Sequence, residues 1–250
     1  MRKILVLILS IAVLSALLFL QKQGKPTVPG DVLSERIPAG RDLTVGNKTY
    51  RVVWAKVNPD ELTLIPNFTE KKTSTTVMAE NRCSVVVNAG FYSKSSEPIG
   101  FFVSGSEEIS GFTQNRLFDG VLSVNELGTP RITREVPEDP LVNAVQTGPV
   151  VFENGAVTKL SFVRDSASRR VIAAVSGENE LIFMVFYTQD SAFSGPLLAE
   201  LPEGVAKLNV EENLGIADAI NLDGGSASAF AIPGFSLTEA SPVGSFFCAR

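Results

Sequence analysis

Histidine is absent from this chain of 250 residues. Ser-His-Asp and Cys-His catalysis therefore cannot operate within it, and imidazole-based zinc sites are excluded as well. Two cysteines, Cys83 and Cys248, are too few for a thiolate zinc site. Acid–base chemistry falls to carboxylates, Lys, Tyr or water. Any metal would be held mainly by oxygen, which leaves calcium, magnesium or manganese as the divalent cations to expect, and no organic cofactor is implied. An excess of positive charge is missing too. The net charge is -5, whereas a duplex-binding surface must be basic to displace counterions, so nucleic acid is not an expected partner.

The chain does contain one long apolar run. Met1-Arg2-Lys3 precedes Ile4 to Leu20, which only Ser10 and Ser15 interrupt. A short basic stretch before an apolar core is an export signal, and residues 1–22 are expected to act as a signal anchor or a cleaved signal peptide. Arg2 and Lys3 would stay cytoplasmic, which places the remainder outside, secreted or held at the membrane. Residues 23–45, with the G-K-P-T-V-P-G stretch at 24–30, read as linker and lead-in, and 46–250 as one domain. Export permits a disulfide. A Cys83–Cys248 bridge would staple the C-terminus to the core; two buried thiols are the alternative.

Strand signals dominate that domain. They lie at 50–57, 62–65, 83–92, 99–105, 119–124, 143–157, 169–175, 180–187 and 217–225. Glu153-Asn154-Gly155 and Gly177-Glu178-Asn179 mark hairpin turns. A short helix is expected within 69–81 and another within 197–215, where Pro202 is expected to split it. The fold class is α+β: a strand-rich mixed β-sheet domain with few helices. Asn67-Phe68-Thr69 also fits a glycosylation acceptor.

Polar residues break the apolar pattern at strand ends. Val85-Val86-Val87 delivers Asn88, and Ala219-Ile220-Asn221-Leu222 delivers Asp223 followed by Gly224, Gly225 and Ser226. A carboxylate after a buried run must be hydrogen-bonded, paired or metal-bound, and adjacent glycine N–H groups can approach an anion closely. A turn in which Asp223 only accepts backbone bonds is the simpler alternative. Gln146-Thr147-Gly148-Pro149 is polar within an apolar surround. Arg164, Asp165, Ser168, Arg169 and Arg170 form a charged group before a core strand, which would equally suit a solvated edge.

The segments VNAGFY at 87–92, PIGFFVSG at 98–105, QTGPVVFENG at 146–155, SRRVIAAV at 168–175 and NLDGGSASAF at 221–230 together resemble the phosphodiester glycosidase family. The resemblance covers roughly residues 50 to 250 and is most specific in the last block. It implies a secreted or membrane-anchored hydrolase that splits the bond between a sugar anomeric carbon and a phosphodiester oxygen. Asp223 and Asn88 would then be catalytic. Arg169, Arg170, Gly148, Gly224, Gly225 and Ser226 would bind the glycan phosphodiester substrate, and Asp223 is the residue that would hold a metal. Two departures stand out. Many members carry a third glycine where this chain has Ser226, and many carry D-G-R where it has Thr188-Gln189-Asp190. The alternative is a non-catalytic carbohydrate-binding or envelope and exopolysaccharide assembly protein on the same fold.

Overall fold

The computed structural model describes residues 40–250. The apolar segment expected to be a signal, and most of the linker after it, lie outside the described residues. Among those described, no helix is long and apolar enough to cross a membrane.

The first sheet contains β1 (Gly40–Val45), β2 (Lys48–Val57), β10 (Val150–Glu153), β11 (Ala156–Val157), β12 (Arg170–Ser176), β13 (Leu181–Tyr187) and β14 (Ile216–Asn221). Their spatial order is β1-β2-β13-β12-β14-β10-β11. The second contains β3 (Leu62–Pro66), β4 (Val85–Asn88), β15 (Phe230–Ile232), β16 (Phe235–Leu237) and β17 (Ser245–Ala249), in the order β16-β15-β4-β17-β3. The third contains β5 (Phe102–Ser104), β6 (Glu107–Ser110), β7 (Gly120–Asn125), β8 (Pro130–Thr133) and β9 (Leu141–Thr147), in the order β6-β5-β9-β7-β8. The helices are α1 (Ser74–Asn81) and α2 (Leu201–Glu212).

The strand-rich α+β reading holds, with one refinement: every strand pairing among the described residues is antiparallel rather than mixed. Because β1 pairs with β2, the folded body also begins ahead of residue 46.

The continuous apolar runs of β12 and β13 follow from their place in the middle of the first sheet. Val171, Ala173, Val175, Phe183 and Val185 face a core shared with the other two sheets. Ile172, Ala174, Ile182, Met184 and Phe186 face the opposite way, onto Leu201, Val205 and Leu208 of α2. A strand buried on both faces has no polar phase to show. Pro202 does not split α2; it lies in its first turn, where the missing N–H leaves no intrahelical bond unmade. The Asn154-Gly155 turn has positive φ at both residues and joins β10 to β11, as a two-residue hairpin requires.

Cys83 and Cys248 are bonded, with Cα atoms 5.4 Å apart. The bridge sits in a small core with Val77 of α1 and Val86 of β4, and it suits an oxidising, extracytoplasmic compartment. Asn67 is not free to carry a glycan. It is buried, and its Nδ2 donates to the carbonyls of Lys72 and Val243.

Candidate active site

The three sheets meet along one rim. There β4, β9 and β14 end, and β7, β12, β15 and β17 begin. The N–H of Asp223 donates to the Ala89 carbonyl at 3.2 Å, joining the end of β14 to the end of β4. Thr147 Oγ1 donates to the Asn221 carbonyl at 2.9 Å, and Asn221 Nδ2 donates to the Gly148 carbonyl at 2.9 Å, joining β14 to β9.

Asp223 stands half-buried on this rim. Its Oδ1 accepts the Gly224 N–H at 2.7 Å, which is the only hydrogen bond its carboxylate makes among the described residues. Burial pushes the carboxyl up to about 7; the Gly224 N–H and the nearby Arg170 guanidinium pull against that rise without cancelling it. Tyr92, four residues beyond Asn88, belongs to the same group. Its phenol donates to the Pro242 carbonyl, and burial, followed by the charge of Asp223, raises its pKa.

Asn88 has a different part from the one expected. It is fully buried, and both ends of its amide are engaged by main chain. Nδ2 donates to the Asp223 carbonyl at 2.8 Å and more weakly to that of Ala89, while Oδ1 accepts the Ala229 N–H at 3.0 Å. The side chain clamps the main chain on both sides of the Asp223 loop.

The two arginines also separate. Arg169 is completely buried, and its Nη1 has no hydrogen-bond partner among the described residues. Its Nε donates to Ser228 Oγ at 2.7 Å, and Nη2 donates to the carbonyls of Ser228 and Thr238. Its guanidinium carbon lies 4.7 Å from the centre of the Phe193 ring. Burial pulls its pKa down to about 10, and the Glu239 charge opposes the fall.

Arg170, on the neighbouring position of the strand, points the other way. Nε donates to the Pro196 carbonyl at 3.3 Å and Nη2 to the Ser166 carbonyl at 2.7 Å, with Asp165 at 3.5 Å. Nη1 has no hydrogen-bond partner among the described residues, and it lies 3.6 Å from where a Cβ on Gly224 would stand.

The glycines are spacers rather than an anion cradle. The Gly224 N–H is taken by Asp223, and the Gly225 N–H donates to the Arg169 carbonyl at 2.9 Å. A Cβ at Gly224 would sit 2.8 Å from the Arg169 carbonyl oxygen, so only glycine lets loop and strand approach this closely. Gly148 likewise packs against backbone: a Cβ there would lie 2.5 Å from the Leu117 carbonyl oxygen. Ser226 is exposed on the site. Its hydroxyl accepts from Ser241 Oγ at 2.9 Å, and its carbonyl accepts the N–H groups of Ala240 and Ser241. Glu239, which no sequence pattern singled out, accepts from the Ser74 N–H and hydroxyl and so fastens residues 238–241, a strap behind Asp223, to the start of α1.

The residues do not fit a divalent cation. Such an ion wants six or more oxygens, usually with several carboxylates. Among the described residues no three His, Cys, Asp or Glu side chains cluster so as to hold a metal, and Arg170 places positive charge beside Asp223. Thr188-Gln189-Asp190, the departure from D-G-R, forms the turn after β13; Gln189 Nε2 donates to Asp42 Oδ1 on β1 at 3.0 Å. The loop that follows supplies Phe193 to Arg169.

The fold is shared with solved proteins. The catalytic domain of zebrafish N-acetylglucosamine-1-phosphodiester alpha-N-acetylglucosaminidase, auto-inhibited by its pro-peptide, superposes with a TM-score of 0.65 at 16% identity, over 84% of this chain and 81% of that one. A hypothetical protein from Synechocystis gives a TM-score of 0.52 at 15% identity, over 84% of this chain and 61% of the other. A candidate exported protein of Burkholderia pseudomallei gives 0.55 at 11% identity, over 80% and 74%. At these identities the likeness shows a shared fold. A sequence search of curated proteins returns no match. The phosphodiester glycosidase family model matches residues 81–248, which takes in every segment of the rim from Asn88 to the strap behind Asp223, and the chain belongs to that family.

Proposed function

We propose that the protein is an extracytoplasmic hydrolase that cleaves the C1–O bond of a sugar-1-phosphodiester and releases free sugar and a phosphomonoester. The observation that carries this reading is the Asp223–Arg170 pair: a carboxyl raised to about 7 beside a guanidinium whose Nη1 is unengaged. Water attacks C1, and Asp223 takes its proton. The C1–O bond breaks with its electrons going to the phosphate oxygen. A phosphate monoester has a second pKa of about 6 and leaves with little help from an acid. Arg170 Nη1 compensates the charge that gathers on it. Once ionised, Asp223 also favours the positive charge that develops at the anomeric carbon.

Ser226 and Ser241 offer hydroxyls at the same rim for a sugar hydroxyl, and Asn88, Arg169 and Glu239 hold the loop without touching the substrate. The export signal would keep the domain outside, secreted or membrane-held. No step passes through a metal.

The test incubates the full chain and its Asp223→Asn variant with a panel of sugar-1-phosphodiesters, measuring free sugar and phosphomonoester separately. Equal release of both products by the wild type alone, with kcat/KM rising as pH climbs through about 7, is expected. Undiminished turnover by Asp223→Asn would remove the central role. Sugar binding with no product from either protein would favour a binding protein on this fold.

A further inference from the structure

Where β7 begins, the rim carries an open cavity of about 380 Å³, lined by Phe112, Gln114, Asn115, Arg116, Asp119 and Arg134, most of them exposed. This size falls within the range of ligand pockets. It is tied to the site by two short routes. The ring of Phe118 stacks on that of Phe91 at 4.4 Å, and Phe91 precedes Tyr92. Asp119 Oδ1 accepts the Val150 N–H at 2.9 Å, while Gly148, packed against Asp119, receives the Asn221 amide two residues before Asp223. A cavity of similar volume around Lys56, Ser176 and Glu180 lies at the far end of β12 and β13, and its cation is already paired with Glu180 at 2.7 Å.

The lining of the first cavity is rich in donors. Arg116 makes no ion pair and no side-chain hydrogen bond among the described residues. Arg134 is shared between two carboxylates, Asp119 in the wall and Glu153 outside it, which leaves Arg116 as the cation free to meet a ligand there. Asn115 uses Oδ1 to accept the Leu117 and Phe118 N–H groups, so its Nδ2 remains as a donor. Gln114 makes no side-chain hydrogen bond either, and Phe112 exposes its ring. Unpaired donors around one aromatic face suit a sugar that carries negative charge.

We propose that this cavity is a subsite for the aglycone side of the substrate, where Arg116 binds an anionic group one sugar beyond the scissile phosphate. The preferred substrate would then be a repeating, phosphate-bearing glycan rather than an isolated diester. The proposal rests on the hydrolytic reading of Asp223. Gln114 and Asn115 donate to the hydroxyls of the intervening sugar.

Two substrates separate the alternatives. One is a hexose-1-phosphate diester of methanol. The other esterifies the same phosphate to the 6-hydroxyl of a second hexose-1-phosphate, so that another phosphate lies one sugar away. The hexoses tried are glucose, mannose and N-acetylglucosamine. The wild type is expected to prefer the second substrate in kcat/KM. Arg116→Ala is expected to cut that preference about tenfold, through KM, as loss of a charged hydrogen bond implies. Arg250→Ala removes a like charge at the opposite end of β17 and should leave the preference in place. Equal kcat/KM for both substrates in the wild type, or a preference untouched by Arg116→Ala, overturns the subsite.

Calorimetric titration of Asp223→Asn with the second compound reads binding without turnover. Binding that Arg116→Ala weakens, where the wild type hydrolyses neither compound, would keep the subsite and sink the hydrolytic reading. Absence of binding to every hexose overturns the subsite.

Discussion

Replacing Asp223 by Asn should stabilise the fold while removing turnover. Folding takes the Asp223 carboxyl from its ordinary 3.8 to about 7, so the folded chain holds this proton more tightly than the unfolded chain. The carboxylate therefore costs nothing below about pH 4. Its cost grows between about pH 4 and 7 and is fully present above that. Stability of the wild type thus falls with rising pH across this window relative to a variant that cannot ionise. At about 1.4 kcal/mol per pKa unit, the two values correspond to an upper bound of roughly 4 kcal/mol. Asp223 is only half-buried, and solvent screens it, so about half of that, roughly 2 kcal/mol, is the expected gain. Asn keeps an oxygen to accept the Gly224 N–H, so the loop loses no bond. For a domain of this size the gain amounts to about 4–8 °C in Tm. Chemical denaturation of both proteins at about pH 4.5 and about pH 8 measures it: the gap at the lower pH should be about a quarter of that at the higher. A difference that does not change with pH, or a wild type more stable than Asp223→Asn at the higher pH, would refute the reasoning.

Three further outcomes follow from the geometry. Arg170→Lys keeps the charge but not the three-nitrogen fork that spans Pro196, Ser166 and the Gly224 side, and kcat/KM should fall about 10- to 100-fold in the steady-state assay. Asn88→Ala leaves the Asp223 carbonyl and the Ala229 N–H without partners in a buried place. It should lower unfolding free energy by about 2–3 kcal/mol and reduce kcat with it, as urea denaturation and initial rates would show. Replacing Cys83 and Cys248 together by Ala opens a loop spanning 165 residues and should cost about 2–4 kcal/mol, with a larger denaturant m-value because the unfolded chain is no longer tethered. An unchanged m-value would contradict that account.

Local rules made much of this protein legible. The apolar runs of β12 and β13, the Asn154-Gly155 hairpin and both helices appear where periodicity and turn chemistry place them, because each depends on residues near in sequence. The total lack of His fixed the kinds of chemistry open to the chain, and the order of five short segments pointed to its family. Asp223 stood out because a carboxylate after a buried strand needs a reason.

Which polar residue faces the cleft was not legible, because that depends on contacts across the fold. Arg169 and Arg170 are neighbours of one type, yet strand alternation sends one under the Asp223 loop and the other to its side. Asn88 looks like a ligand in sequence and is a clamp in three dimensions, since Asp223 and Ala229, 135 and 141 residues away, take up its amide. Glu239 and the cavity around Arg116 have no local signature at all. Sequence determines which groups can do chemistry and where strands run; only the packing of three sheets on one rim decides which groups meet, since burial and unpaired donors are properties of that meeting.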